Sequence, residues 1–271
     1  MSARLHILES NQEGASRMGW KRYVAIGDSF TEGIGDPRPD GRERGWADRL
    51  AESLAREQPG LEYANLAIRG RRLAAIVEEQ VPSAVQLNPD LVSFAGGVND
   101  ALRRSWDLAA MAEGLEAGIG QLAGTGADVV IVTFGRPSHR SRVMGTVEGR
   151  LSEYREVTYE LAGRFGCRIV DFWDYRVFDD PRFWSDDRLH LNPVGHERVA
   201  MAVLEALGRP SRQAWWQPLP TARPASPAAR LARDVNWAGR HLAPWIGRRL
   251  TGRSSGDGVE PKRPVPQPVS N

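Results

Sequence analysis

The stretch RYVAIGDSFTEGIGD, residues 22–36, changes character halfway along. Arg22–Ile26 is short and rich in apolar side chains on both faces, which is the pattern of a strand covered on both sides of a sheet. From Gly27 the chain becomes polar and glycine-rich, a loop leading toward helix. Outward from here the same alternation recurs. Strands are expected at Leu61–Leu66, Leu91–Ala95, Asp128–Thr133 and Arg168–Phe172, and helices at Trp46–Arg56, Leu73–Val85, Leu108–Leu122 and Val147–Arg164. A last helix is expected over Pro193–Leu207, where positions 194, 199, 203, 204 and 207 form one apolar stripe and Pro193 suits a first turn. Five strands alternating with helices predict an open α/β fold with a mostly parallel sheet and right-handed crossovers.

The 271 residues, 41% of them hydrophobic, suit one such domain with an appendage. The formal charge of +2 is unevenly spread: residues 211–271 hold 10 Arg/Lys against 3 Asp/Glu, leaving the rest acidic. The domain is expected over 20–210, after a flexible leader at 1–19. The boundary at Gly208-Arg209-Pro210 is followed by a Pro-rich linker, 211–227, and a basic amphipathic helix, 228–251, interrupted by Pro244. Residues 252–271 read as a disordered tail. The basic helix packs on its own domain or makes peripheral contact with an anionic membrane. Nucleic acid is not an expected partner, because the main domain is acidic. Cys167 is the only cysteine and has no partner for an intrachain disulfide. No apolar run approaches a membrane span or a signal peptide, so a cytoplasmic protein is expected, with the chain a monomer.

In an open α/β sheet, ligands bind outside the carboxyl ends of the strands. The first strand is followed there by GDSFTEGIGD (27–36), the second by AIRG (67–70) and the third by GGVND (96–100). A long loop after the fifth leads to SDDRLHLNPVGH (185–196). Each feature alone has a structural account: Ser29 as a helix cap, Gly70 as a turn, Asn99-Asp100 as a cap, His190 as a loop histidine. Together they supply what acyl transfer needs: a nucleophile, a base, an orienting acid and oxyanion donors.

GDSFTEG resembles the first block of the GDSL, or SGNH, hydrolases, with Phe30 where many members carry leucine. Gly70, Gly97-Val98-Asn99-Asp100 and Asp187-Arg188-Leu189-His190 are similar to three further blocks, in the right order, across about residues 22–207. The resemblance implies a flavodoxin-like three-layer α/β/α sandwich on a five-stranded parallel sheet, and serine-dependent hydrolysis of acyl esters, the partner expected being a small-molecule acyl ester. It assigns Ser29 as nucleophile, His190 as base and Asp187 as the acid orienting it. It implies an oxyanion hole made by the Ser29 and Gly70 backbone N–H groups and the Asn99 amide. An acid three residues before a histidine projects beside it, so spacing selects Asp187, and Asp186 reads as a solvated neighbour. An acyltransferase using the same serine, and thioesterase or lysophospholipase activity, remain alternatives.

Other signals lead elsewhere. There is no G-x-S-x-G elbow and no P-loop, and Gly33-Ile34-Gly35 gives only part of a dinucleotide fingerprint. His196 falls inside the last helix, so Asp187, His190 and His196 do not compose a metal site; no cofactor is expected. His139 reads as a surface loop residue near Arg136, and Cys167 as a buried small residue. Trp173, Phe183 and Trp184 are candidates for an apolar wall beside the site.

Overall fold

The computed structural model describes residues 19–139, 142–211, 213–221 and 254–269, with Ser226 and Gly239. The expected leader over 1–19 and the basic helix over 228–251 lie outside them, apart from Gly19 and Gly239. In chain order the elements are β1 (Arg22–Gly27), α1 (Ser29–Glu32), α2 (Gly45–Glu57), β2 (Glu62–Asn65) and α3 (Leu73–Ala75). A π-helical turn, Ile76–Gln80, joins α3 to α4 (Val81–Gln86). There follow β3 (Leu91–Ala95), α5 (Val98–Ala101), α6 (Leu108–Ala123), β4 (Asp128–Val132), α7 (Arg142–Gly145), α8 (Glu148–Phe165), β5 (Arg168–Val170), α9 (Pro193–Ala206) and β6 (Arg263–Pro268).

The strand order is β5-β4-β3-β1-β2-β6, and the first five strands are parallel. This is the doubly wound, flavodoxin-like order, whose connections change direction between β1 and β3. Successive strand residues face opposite sides, which divides the core in two. Tyr23, Ala25, Val130 and Val170 pack with Trp46, Leu50 and Leu54 of α2 and Val199 and Val203 of α9. Val24, Ile26, Val92, Phe94 and Ile131 pack on the other face with Ile76, Val81, Leu115, Ile119 and Leu161. Helices thus cover both faces of a sheet apolar on both.

One expectation for the C-terminal part is corrected, and one residue of the expected linker packs on the domain: Trp215 is buried, its ring 4.5 Å from that of Tyr175 and 5.5 Å from that of Phe172. Arg198 fixes the approach by donating to the Ala214 carbonyl at 2.7 Å. The tail over 252–271 is not disordered through its described part, because β6 adds an antiparallel sixth strand to β2. Its sequence, RPVPQP, explains how a proline-rich strand can do this. Neighbouring N–H groups in a strand point to opposite edges, and Pro264, Pro266 and Pro268 share one parity. The Val269 N–H reaches the Leu61 carbonyl at 3.0 Å, so the donor missing at its neighbour Pro268 falls on the outer edge, and the register shifts between Tyr63 and Asn65, opposite Pro264 and Pro266. Lys262, just before β6, pairs with Asp48 at 2.8 Å and donates to the Glu43 and Arg44 carbonyls.

Candidate active site

A cavity of about 530 Å³ opens at the carboxyl ends of the strands, lined by Ser29, Gly70, Asn99, Asp187 and His190. β1 delivers Ser29. Gly27 has φ +150°, and a Cβ there would collide with the Ala95 carbonyl and Thr31, so the close approach of β1 and β3 requires glycine. Gln80, at the end of the π-helical turn, holds this backbone by accepting from the Gly27 N–H at 2.8 Å and donating to its carbonyl at 2.9 Å. Asp28 caps α1 by accepting from the Phe30 N–H at 3.0 Å. The capping role that Ser29 could have taken thus falls to its neighbour.

Ser29 Oγ stands 2.9 Å from His190 Nε2, and His190 Nδ1 stands 2.6 Å from Asp187 Oδ2. These contacts fix the tautomer: Nδ1–H donates to the carboxylate, and Nε2 accepts from the serine hydroxyl. The loop holding them is closed by an antiparallel bridge between Trp184 and Leu191 and by a turn in which the Arg188 N–H donates to the Ser185 carbonyl at 2.9 Å. Arg188 takes φ +60°, a left-handed residue between the acid and the histidine. Asp187 Oδ1 accepts from Ser185 Oγ, the Leu189 N–H and the His190 N–H at 2.7, 2.9 and 3.0 Å. Hydrogen bonds and charge from His190 outweigh burial and hold the Asp187 carboxyl well below its ordinary range. Asp186 is exposed to solvent. Asn192 caps α9 through the Val194 and Gly195 N–H groups and ties the loop back by donating to the Arg182 carbonyl at 2.8 Å.

Gly70 has φ +74° and follows Arg69, whose guanidinium and N–H both bind the buried Glu32 carboxylate of α1. That ion pair locks the loop after β2 against the start of the site. The Asn99 amide donates to Asp28 Oδ2 and to the Arg71 carbonyl, both at 3.0 Å. Burial pushes the Asp28 carboxyl up to about 6. A raised folded-state value means the folded chain holds this proton more tightly than the unfolded one. Its contribution is therefore present below the ordinary value near 3.8 and is lost as pH rises through about 6. Asp28→Asn removes this titration. Urea unfolding should show the variant gaining roughly 2–3 kcal/mol relative to the parent between about pH 4 and pH 7. A pH-independent difference would contradict the desolvation of Asp28.

Of the expected apolar wall, Trp184 lines the cavity, with Phe30, Phe134, Phe172, Tyr175 and Phe178. Trp173 and Phe183 are buried in the core instead. Irregular loops have no fixed period, so neighbouring aromatic residues gave no sign of which one faces the cleft. His139 is exposed and 3.4 Å from Asp179. His196 is fully buried, its Nδ1 accepting from the Trp46 N–H and its Nε2–H donating to the Ile34 carbonyl, each at 3.2 Å. Burial pushes it down to about 4, so it is a neutral linchpin between α2 and α9 and presents no nitrogen to a metal. Cys167 is buried. The residues that sequence reasoning passed over are Asp28, Gln80 and Ser185. Only Asp28 carried a signal, as an Asp two residues before a helical N–H.

Fold and site together define an α/β hydrolytic enzyme with its cleft at the switch point of a parallel sheet. Residues 25–198 match the profile of the GDSL-like lipase/acylhydrolase family, and the chain belongs to that family, as a serine esterase/acylhydrolase. It is 23% identical over 194 residues to an arylesterase of Vibrio mimicus, covering 71% of this chain and 91% of that one. Among solved structures it is similar to an α/β hydrolase enzyme from the metagenome of Lake Arreo, Spain. The TM-score is 0.60 at 23% identity, over 72% of this chain and 98% of that one. An acetylxylan esterase from Geobacillus stearothermophilus gives a TM-score of 0.60 at 19% identity, over 73% of this chain and 99% of that one.

Proposed function

We propose that the enzyme hydrolyses carboxylic esters through an acyl-enzyme on Ser29, with His190 as general base and acid and Asp187 as its orienting carboxylate. The continuous Asp187–His190–Ser29 contact carries this reading. His190 Nε2 takes the hydroxyl proton as Ser29 Oγ attacks the ester carbon, and the carbonyl electron pair moves onto oxygen. Collapse of the tetrahedral intermediate expels the alcohol, which takes the proton from His190. Water then attacks the acyl-enzyme, giving a proton to His190. The second collapse frees the acid and returns that proton to Ser29. Asp187 stays ionised throughout and stabilises the imidazolium.

The backbone N–H groups of Ser29 and Gly70 and the Asn99 amide receive the oxyanion. Asn99 does so by exchanging or sharing one of its resting bonds to Asp28 and Arg71. Loss of one such donor costs about 10²–10³ in kcat. Asn99→Ala should therefore reduce kcat by that factor in steady-state assays, and an unchanged kcat in a folded variant removes Asn99 from the hole. The aromatic wall supports an apolar acyl group as the acid part of the substrate. The test is hydrolysis of p-nitrophenyl acetate, butyrate and decanoate beside Ser29→Ala, with fluorophosphonate labelling as a second readout. The parent should turn over and label; Ser29→Ala should do neither. Equal turnover by both would refute the assignment.

A further inference from the structure

β6 runs antiparallel to β2, pairing Glu62 with Pro268 and Asn65 with Arg263. That direction puts the residues before Arg263 at the carboxyl end of the sheet, which is the cleft rim. Lys262 pins them there on Asp48 and the Glu43 and Arg44 carbonyls. Ser254 and Ser255 consequently line the same cavity as Ser29, although they lie far outside the matched family region. The packing is close: a Cβ on Gly256 would collide with the Arg69 carbonyl, and one on Gly70 with Ser254 Oγ. Ser254 is set by a local turn in which its N–H donates to Asp257 at 2.9 Å and its Oγ accepts from the Gly256 N–H at 3.2 Å. Its hydroxyl proton is left to donate.

The strand order gathers the aromatic rings on one side of the rim. On the β3, β4 and β5 side of Ser29 stand the rings of Phe134, Phe172, Tyr175 and Phe178, with the polar Thr133, Arg136 and Asp179 among them; on the β2 and β6 side stand Arg69, Gly70, Ser254 and Ser255, with no ring. An ester attacked by Ser29 must extend to both sides. Its apolar part leaves water on the aromatic side, and hydrogen-bonding groups are satisfied on the other. We infer that the C-terminal segment completes the leaving-group side of the active site, and that Ser254 and Ser255 are specificity-determining residues for esters whose alcohol part carries further hydroxyls. This rests on the serine-hydrolase reading above.

The experiment compares kcat/KM for glyceryl monobutyrate and p-nitrophenyl butyrate, which share an acyl group and differ in the leaving group. It uses the full chain, Ser254→Ala, Ser255→Ala, the double variant and the hydroxyl-retaining Ser254→Thr and Ser255→Thr. The ratio of glyceryl to p-nitrophenyl kcat/KM should fall about tenfold in the double variant and recover with threonine, since each neutral hydrogen bond is a modest contribution. A ratio within about twofold of the parent, or one that threonine does not restore, overturns the inference. Parent turnover of the p-nitrophenyl ester but not the glyceryl ester overturns it too, while leaving the hydrolase reading intact. No turnover of either ester sinks both.

Discussion

His190→Ala should lower kcat on p-nitrophenyl butyrate by about 10⁴–10⁶-fold and abolish fluorophosphonate labelling, with little change in unfolding midpoint. The size follows from the ring's two contacts. Nε2 meets the Ser29 hydroxyl and Nδ1 meets Asp187, so truncation removes both the proton acceptor for attack and the donor for the leaving alcohol. The stability expectation is equally specific. The side chain is partly solvent-exposed, and Asp187 keeps three donors after truncation: Ser185 Oγ and the backbone N–H groups of 189 and 190. No buried charge is orphaned. Circular dichroism with thermal melting, read beside the kinetics, separates the outcomes: near-parental turnover in a folded variant would remove His190 from the chemistry.

Asp187→Asn should cost about 10⁴ in kcat, whereas Asp186→Asn should change it less than about twofold. The contrast comes from acceptor geometry. Asp187 Oδ1 is filled by its three donors, so the asparagine oxygen takes that place and its NH₂ faces His190 Nδ1. A donor opposite Nδ1 stabilises the tautomer with its proton on Nε2, which can no longer accept from Ser29. Asp186 is exposed and its loss reorients nothing. Acid titration provides a second readout. The Asp187 carboxyl is held below its ordinary range, so it contributes stability above the unfolded-state value that is lost as pH falls toward the folded one. Asp187→Asn should lose that contribution. Equal turnover in the two variants, or the reverse order, would misplace the orienting acid.

Much of this architecture was legible because strand and helix leave different periods in the chain. The five parallel strands and the long helices fall within a few residues of their expected ends, since apolar runs facing two helical layers cannot be placed otherwise. The tail was misread for a physical reason. RPVPQP has the composition of a disordered segment, yet what permits pairing is which of its residues keep an N–H facing β2, as Val269 just after it does, and composition does not record that. Gln80 and Asp28 were missed because their work is long-range: one clamps Gly27 across 53 residues and the other meets Asn99 across 71. The split of the expected Leu73–Val85 helix by a π-helical turn is of the same kind, since that turn ends on Gln80 and its clamp to β1.

The prolines of β6 also limit what this sheet edge offers to a second molecule. An open sheet edge normally offers a ladder of donors on which a second molecule's strand can nucleate. Here three of the six residues of the outermost strand, Arg263–Pro268, have no N–H to offer, so a second strand finds few donors to build on. A chain cut before residue 254 would instead bare β2, and light scattering should report its growth into larger assemblies.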